Sequence, residues 1–175
     1  MKKNKKQDLV YGIIGMGRFG EALAVTLAEA GKEVIVVDRD ENKIKEMRQY
    51  TEHAFICGNL SSETLREIGI QNCDVVIICI GEQVDISILT TMSVIEMGVP
   101  RVISKAVSSE QGAVLKKLGA DVVYPERDMA LRLGKRLISS TFLDYVSLCD
   151  SVEIRQIQLP DSLAGRSVEQ SQLRR

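Results

Sequence analysis

A chain of 175 residues is long enough for one full domain that buries about 70% of its unfolded surface, with room for part of a second. Its 23 basic and 24 acidic residues balance, which argues against a general nucleic-acid binder, since those carry a basic excess. No apolar run approaches the roughly 18 residues of a membrane span, and Met1-Lys2-Lys3-Asn4-Lys5-Lys6 lacks the apolar segment of a signal peptide, so a cytosolic protein is expected.

Residues 1–7 read as a solvated basic tail, with contact to an anionic membrane surface as the second reading. A first strand follows over 8–14, then a glycine turn, then a helix over Gly20–Ala30 with a broad apolar face that Gly31 ends, then a second strand over 33–38. Asp40 suits the N-cap of a helix over Glu41–Tyr50 that turns Ile44 and Met47 inward. A short third strand over Ala54–Cys57 leads through Gly58-Asn59-Leu60-Ser61 into a helix over Ser62–Ile68, closed by Gly69. The run Asp74-Val75-Val76-Ile77-Ile78-Cys79-Ile80-Gly81 is nearly all apolar, the pattern of a strand buried on both faces of a parallel sheet. Helices over 84–97 and 108–118 alternate with strands over 101–106 and 121–124, and Pro125-Glu126-Arg127-Asp128 opens a further helix over Met129–Ser139.

Strands alternating with helices across 8–139 define an α/β Rossmann domain, a doubly wound sheet of six parallel strands in the order 3-2-1-4-5-6. Residues 140–150 carry apolar groups at helical spacing after that sheet is complete, and they read as a crossover or dimerisation helix. Residues 152–159 alternate like a strand, and 151–175 read as the start of a truncated second subdomain. Cys57, Cys73, Cys79 and Cys149 show no CxxC pairing and read as reduced cysteines without a disulfide or metal role.

The glycine turn carries chemistry. In Gly15-Met16-Gly17-Arg18-Phe19-Gly20 the first glycine allows the tight turn, the second lets backbone approach a pyrophosphate, and the third lets helix and strand pack closely. The helix that follows aims free N–H groups and its positive dipole end at the same place. Asp38 lies eighteen positions after Gly20 at the end of the second strand, where a carboxylate accepts from both ribose hydroxyls and repels a 2′-phosphate. A nucleotide site is expected there, with Arg39 and Asp40 beside it. Asn59 has two readings, a contact to adenine or ribose and a part in helix capping with Ser61. Gly81 either admits a ligand's close approach or merely ends its strand, and Lys105 either meets phosphate or stays solvated. His53, the only histidine, has no evident partner to orient it and reads as a packing residue.

The glycine turn, the Asp38 spacing, Gly58-Asn59, Ile80-Gly81, Lys105-Ala106, Gly119-Ala120-Asp121 and Pro125-Glu126-Arg127-Asp128-Met129 together resemble the RCK (KTN) domain of the regulatory subunits of Ktr and Trk bacterial potassium uptake systems. The resemblance implies a non-enzymatic subunit that binds ATP, ADP or NAD(H) and gates a membrane potassium-transporting partner at the inner face of the cell membrane. It implies a homodimer, formed through the helix after the sixth strand, that assembles into an octameric ring. It also implies that Arg18 reaches the phosphates, that Gly58, Asn59, Ile80, Gly81, Glu82 and Lys105 line the pocket, and that Glu126 helps hold Mg²⁺ or Ca²⁺ beside ATP. Relatives often carry Asp-Ala or Asn-Ala where this chain has Gly58-Asn59. The subdomain that binds cyclic di-AMP in relatives is nearly absent, so that ligand is not expected. The rivals are an NAD(H) redox sensor and an NAD-dependent oxidoreductase. The second needs a substrate domain and an oriented proton-transfer group.

Overall fold

The computed structural model describes residues 9–138, 142–149, 152–157 and 161–171; the expected basic tail over 1–7 lies outside them. The chain divides into two compact units, one ending at Pro125 and one starting at Glu126.

The first unit is built on six parallel strands: β1 (Val10–Ile14), β2 (Glu33–Asp38), β3 (Ala54–Ile56), β4 (Val75–Ile78), β5 (Arg101–Lys105) and β6 (Asp121–Val123). Their order is β3-β2-β1-β4-β5-β6, as the alternation of elements predicts. Between them run α1 (Arg18–Glu29), α2 (Glu41–Met47), α3 (Ser62–Ile68), α4 (Val84–Glu96) and α5 (Ser109–Leu118). All four residues of β4 are buried, because helices cover both faces of a doubly wound sheet. One apolar cluster joins Ile14, Ile78 and Val102 of the sheet to Leu65 of α3 and Val94 of α4. The other joins Ile13, Val36 and Ile77 to Ala24 of α1 and to Ile44 and Met47 of α2.

Local chemistry sets the ends of these helices. Asp40 accepts from the Asn42 N–H, Ser61 from the Thr64 N–H and Ser108 from the Gln111 N–H, so each hydroxyl or carboxylate satisfies a donor the helix cannot. Gly69 and Gly119 close α3 and α5 at φ of 93° and 102°, a conformation that favours glycine. α2 stops at Met47, short of the expected Tyr50. The Thr51 hydroxyl donates to the Val34 carbonyl at 2.6 Å and draws the chain back to β2.

Register places the functional edge. Ile14 is level with both Val37 and Ile78, and Ile78 with Ser104. The next residues along, Gly15, Asp38, Cys79 and Lys105, therefore form a row at the carboxyl edge of the sheet, where ligands meet open α/β sheets.

α6 (Pro125–Ile138), which belongs to the second unit from Glu126 onward, buries no residue. The helix expected over 140–150 is not formed: Phe142–Cys149 is a strand, β7, paired antiparallel with β8 (Val152–Ile157). Phe142, Tyr145 and Val146 favour an extended chain. A second extended segment begins at Val152 and supplies the ladder partner that their backbone needs. The expected helix thus fails over 142–149, and its residues 140, 141 and 150 lie outside those described.

Candidate functional site

Each glycine of the turn meets a different steric demand. Gly15 has φ of 100°, and a Cβ there would stand 3.2 Å from the Cys79 backbone carbon. A Cβ on Gly20 would stand 2.0 Å from the Gly15 carbonyl oxygen and 3.1 Å from the Cys79 Cβ, so α1 and the sheet meet with no room for a side chain. A Cβ on Gly17 would meet nothing within 4 Å. Gly17 is exposed and precedes α1 without a side-chain cap, so it is the glycine past which a ligand can approach the backbone.

The two ends of the site are joined. The Met16 N–H donates to Asp38 Oδ2, and the Asp40 N–H donates to Asp38 Oδ1 at 2.8 Å. An ionised carboxylate accepts about four hydrogen bonds, so each oxygen keeps capacity for a ribose hydroxyl. Met16 itself is 1% exposed and packs with Phe19 in the cluster beneath α1. Of the six turn residues, Arg18 is the one with an exposed cationic side chain.

Arg39 reaches across the sheet edge and donates to Gln83 Oε1 at 3.2 Å. Gln83 stands just before α4 and escaped the sequence reading, because no local pattern marks a residue whose partner lies 44 positions away. Glu82 beside it is exposed, and Ile80 and Gly81 are half-buried. Lys105 lies over Gly81: its Nζ is 3.4 Å from the place a Gly81 Cβ would occupy. Beneath that point the Cys79 thiol is 6% exposed, and burial pushes its pKa up to about 12 while the Lys105 charge pulls the other way. On the far side, Ser61 supplies the cap of α3. The exposed Asn59 offers its backbone carbonyl to the Cys57 thiol at 2.9 Å. Gly58 is exposed, with nothing within 4 Å of a Cβ there.

Two further residues of the sequence reading belong to other elements. Glu126 is an exposed residue in the first turn of α6 and belongs to the second unit. His53 does have an acidic neighbour, Glu33 Oε1 at 4.0 Å from its Nε2. Glu33 opens β2 and His53 precedes β3, so the pair sits at the amino edge of the sheet, opposite the glycine turn. Among the described residues no three His, Cys, Asp or Glu side chains stand together in a way that could hold a metal ion.

A doubly wound parallel sheet, a glycine turn opening onto a helix N-terminus and a carboxylate at the end of β2 define a Rossmann domain of the nucleotide-binding class. The TrkA-N domain model matches residues 11–125, and the chain belongs to that family. It is 38% identical over 159 residues to Ktr system potassium uptake protein C of Bacillus subtilis (strain 168), spanning 90% of this chain and 72% of that protein. With Ktr system potassium uptake protein A of the same organism it shares 33% identity over 167 residues, 95% of this chain and 73% of that one. The crystal structure of GsuK bound to ADP matches with a TM-score of 0.62 at 27% identity, over 76% of this chain and 35% of that one.

Proposed function

We propose that this chain is a regulatory nucleotide sensor of a bacterial potassium uptake system. It binds ATP or ADP at the carboxyl edge of its sheet and gates a membrane potassium-transporting subunit. The observation that carries this reading is the preassembled site: the Asp38 carboxylate already bonded to the Met16 N–H of the glycine turn, with the open flank of Gly17 beside it. The names of the Ktr relatives support the potassium transporter as partner, and ADP in the GsuK structure supports the ligand class.

Asp38 and the glycine turn see only the adenosine diphosphate that ATP, ADP and NADH share. Discrimination between ATP and ADP therefore falls to groups that meet the third phosphate. We assign this to Arg18 and to Glu126, which would help hold a Mg²⁺ or Ca²⁺ ion that accompanies ATP. Moving an equilibrium from 1:99 to 99:1 takes about 5.5 kcal/mol of differential binding. Two or three charge-assisted contacts at about 1.5–3 kcal/mol each are sufficient.

The reading extends to assembly. Met129, Leu133 and Leu137 recur every four residues along one face of α6 and are 59%, 51% and 77% exposed, a stripe that suits a second copy of the same helix. We assign α6 to a homodimer and such dimers to an octameric ring. Among the described residues no helix is long and apolar enough to cross a membrane. From the names of the Ktr relatives we assign membrane contact to the transporter subunit, at the cytoplasmic face. A regulatory rather than enzymatic role fits the position of His53, at the edge of the sheet away from the nucleotide.

Calorimetry tests the proposal. ATP, ADP and NADH are titrated with and without Mg²⁺ or Ca²⁺ into the wild type and Glu126→Gln. A divalent ion is expected to strengthen ATP and not ADP, and the substitution to remove that gain. NADH binding without ATP or ADP binding below about a millimolar, near 4 kcal/mol of affinity, would replace the gating sensor by a dinucleotide redox sensor.

A further inference from the structure

Four polar side chains are buried between α4, β5 and α5. Ser87, Thr91 and Ser104 are 0% exposed and Gln111 is 4% exposed. Unpartnered, such groups would be costly, and here they satisfy one another. The Thr91 hydroxyl donates to the Ser87 carbonyl at 2.7 Å, which leaves the Ser104 hydroxyl to donate to Thr91 Oγ1 at 2.8 Å. Gln111 Nε2 donates to the Ser87 hydroxyl at 3.3 Å, and Gln111 Oε1 accepts from the Val107 N–H at 2.9 Å. The bonds run from Ser104 through Thr91, Ser87 and Gln111 to Val107, and the backbone 104–107 closes the ring.

Lys105 lies inside the closed segment. Side chains alternate across a strand, so Ser104, drawn toward α4, sends Lys105 to the face that packs on α1. Ile103, on the same side as Lys105, joins the cluster of Met16 and Phe19. Pairing with β6 ends where the Ala106 N–H donates to the Val123 carbonyl at 2.9 Å, and Val107 is the first amide beyond it. Gln111 takes over there. It supplies the acceptor that the sheet no longer offers, and its own N–H, bonded to Ser108 Oγ at 3.2 Å, fixes the start of α5.

We infer that Gln111 is a positioning residue for the site. Through the ring of Ser87, Thr91 and Ser104 it fixes the backbone on both sides of Lys105, so that the ammonium stands over Gly81 where a nucleotide phosphate would lie. This rests on the nucleotide-sensor reading given above. Lysine is a point charge on a flexible stem, so what the fold can set is the base of that stem and the direction in which it leaves the strand.

A double-mutant cycle read by calorimetry with ADP tests it, using the wild type, Lys105→Met, Gln111→Leu and the double variant. Gln111→Leu is expected to weaken ADP about tenfold, the size of one charge-assisted contact, and to cause no further loss in the Lys105→Met background. Equal losses in both backgrounds, or no loss in either, overturn the inference, because a general structural role is additive. Thr91→Val, which removes the hydroxyl that links Ser104 to Ser87, replaces Gln111→Leu if that variant does not fold. If the wild type binds no nucleotide, the sensor reading falls, and a crystal structure of Gln111→Leu then decides the positioning role. A Lys105 ammonium displaced from Gly81 supports it, and one left in place overturns it.

Discussion

The backbone N–H of Met16 donates to the carboxylate of Asp38, so the glycine turn and the acid at the end of β2 are one bonded unit. With the Asp40 N–H on the other oxygen, the carboxylate is held by a backbone donor on each side. On the proposed nucleotide role, a carboxylate held in this way would lose little freedom on binding, which favours affinity.

Asp38→Asn should therefore do more than remove a charge. An amide in that place sets a donor against one of the two backbone donors, which loosens the turn and also weakens the ribose contact. Loss of at least one bond to a charged group predicts a fall in ADP affinity of about 1.5–3 kcal/mol, tenfold or more. Calorimetry on the variant checks this, and an unchanged affinity would show that ribose is held elsewhere.

Two glycines three positions apart should separate folding from binding. Gly20→Ala drives a methyl to 2.0 Å from the Gly15 carbonyl oxygen. Overpacking of that kind costs about 2 kcal/mol and lowers Tm by roughly 5–10 °C. Gly17→Ala meets nothing within 4 Å and has φ of −79°, which any residue adopts, so its Tm should stay within a degree or two of wild type. Its methyl would stand where the phosphates approach, and nucleotide affinity should fall. Thermal melts and titrations of the pair decide between these roles. A folded Gly17→Ala that binds as the wild type does would move the phosphates away from that flank.

The sheet was legible because its signals are local. Runs such as Val75–Ile78 are apolar throughout, since both faces are covered, and Asp40, Ser61, Gly69 and Gly119 mark helix ends through side-chain caps or a left-handed backbone. Residues 142–149 misled because Phe142, Tyr145, Val146 and Cys149 fit a helical spacing while their side chains favour an extended chain. Pairing with Val152–Ile157 decides between the two. The supports of the site were illegible for another reason. Arg39 finds Gln83 and Ser87 finds Gln111 only after the chain has folded, across 44 and 24 positions.

The Cys79 thiol carries a pH signature. Burial raises its pKa from 9.0 to about 12, with Lys105 opposing, so the folded state holds the proton more tightly than the unfolded chain does. Below pH 9 both states are protonated and the group contributes nothing to pH dependence. Between about pH 9 and 12 the unfolded state ionises first, and stability falls by up to about 1.4 kcal/mol per pH unit. Denaturant melts from pH 8 to 10.5 should show this slope, and Cys79→Ala should flatten it relative to wild type. An equal slope in both would assign the alkaline loss to other groups.

The exposed stripe of α6 leads to the last prediction. Burying Met129, Leu133 and Leu137 against a second copy would contribute about 1.5–3 kcal/mol for each side chain fully removed from water, enough to hold a dimer at micromolar concentrations once the cost of association is met. Leu133→Glu with Leu137→Glu places two carboxylates in that seam, where like charges from both copies would meet. The double variant should sediment as a monomer where the wild type sediments as a dimer or larger, and the first unit, whose two apolar clusters contain no α6 residue, should melt as before. A wild type that is monomeric at tens of micromolar, or a variant that stays dimeric, would remove α6 from the interface and leave that role to another surface.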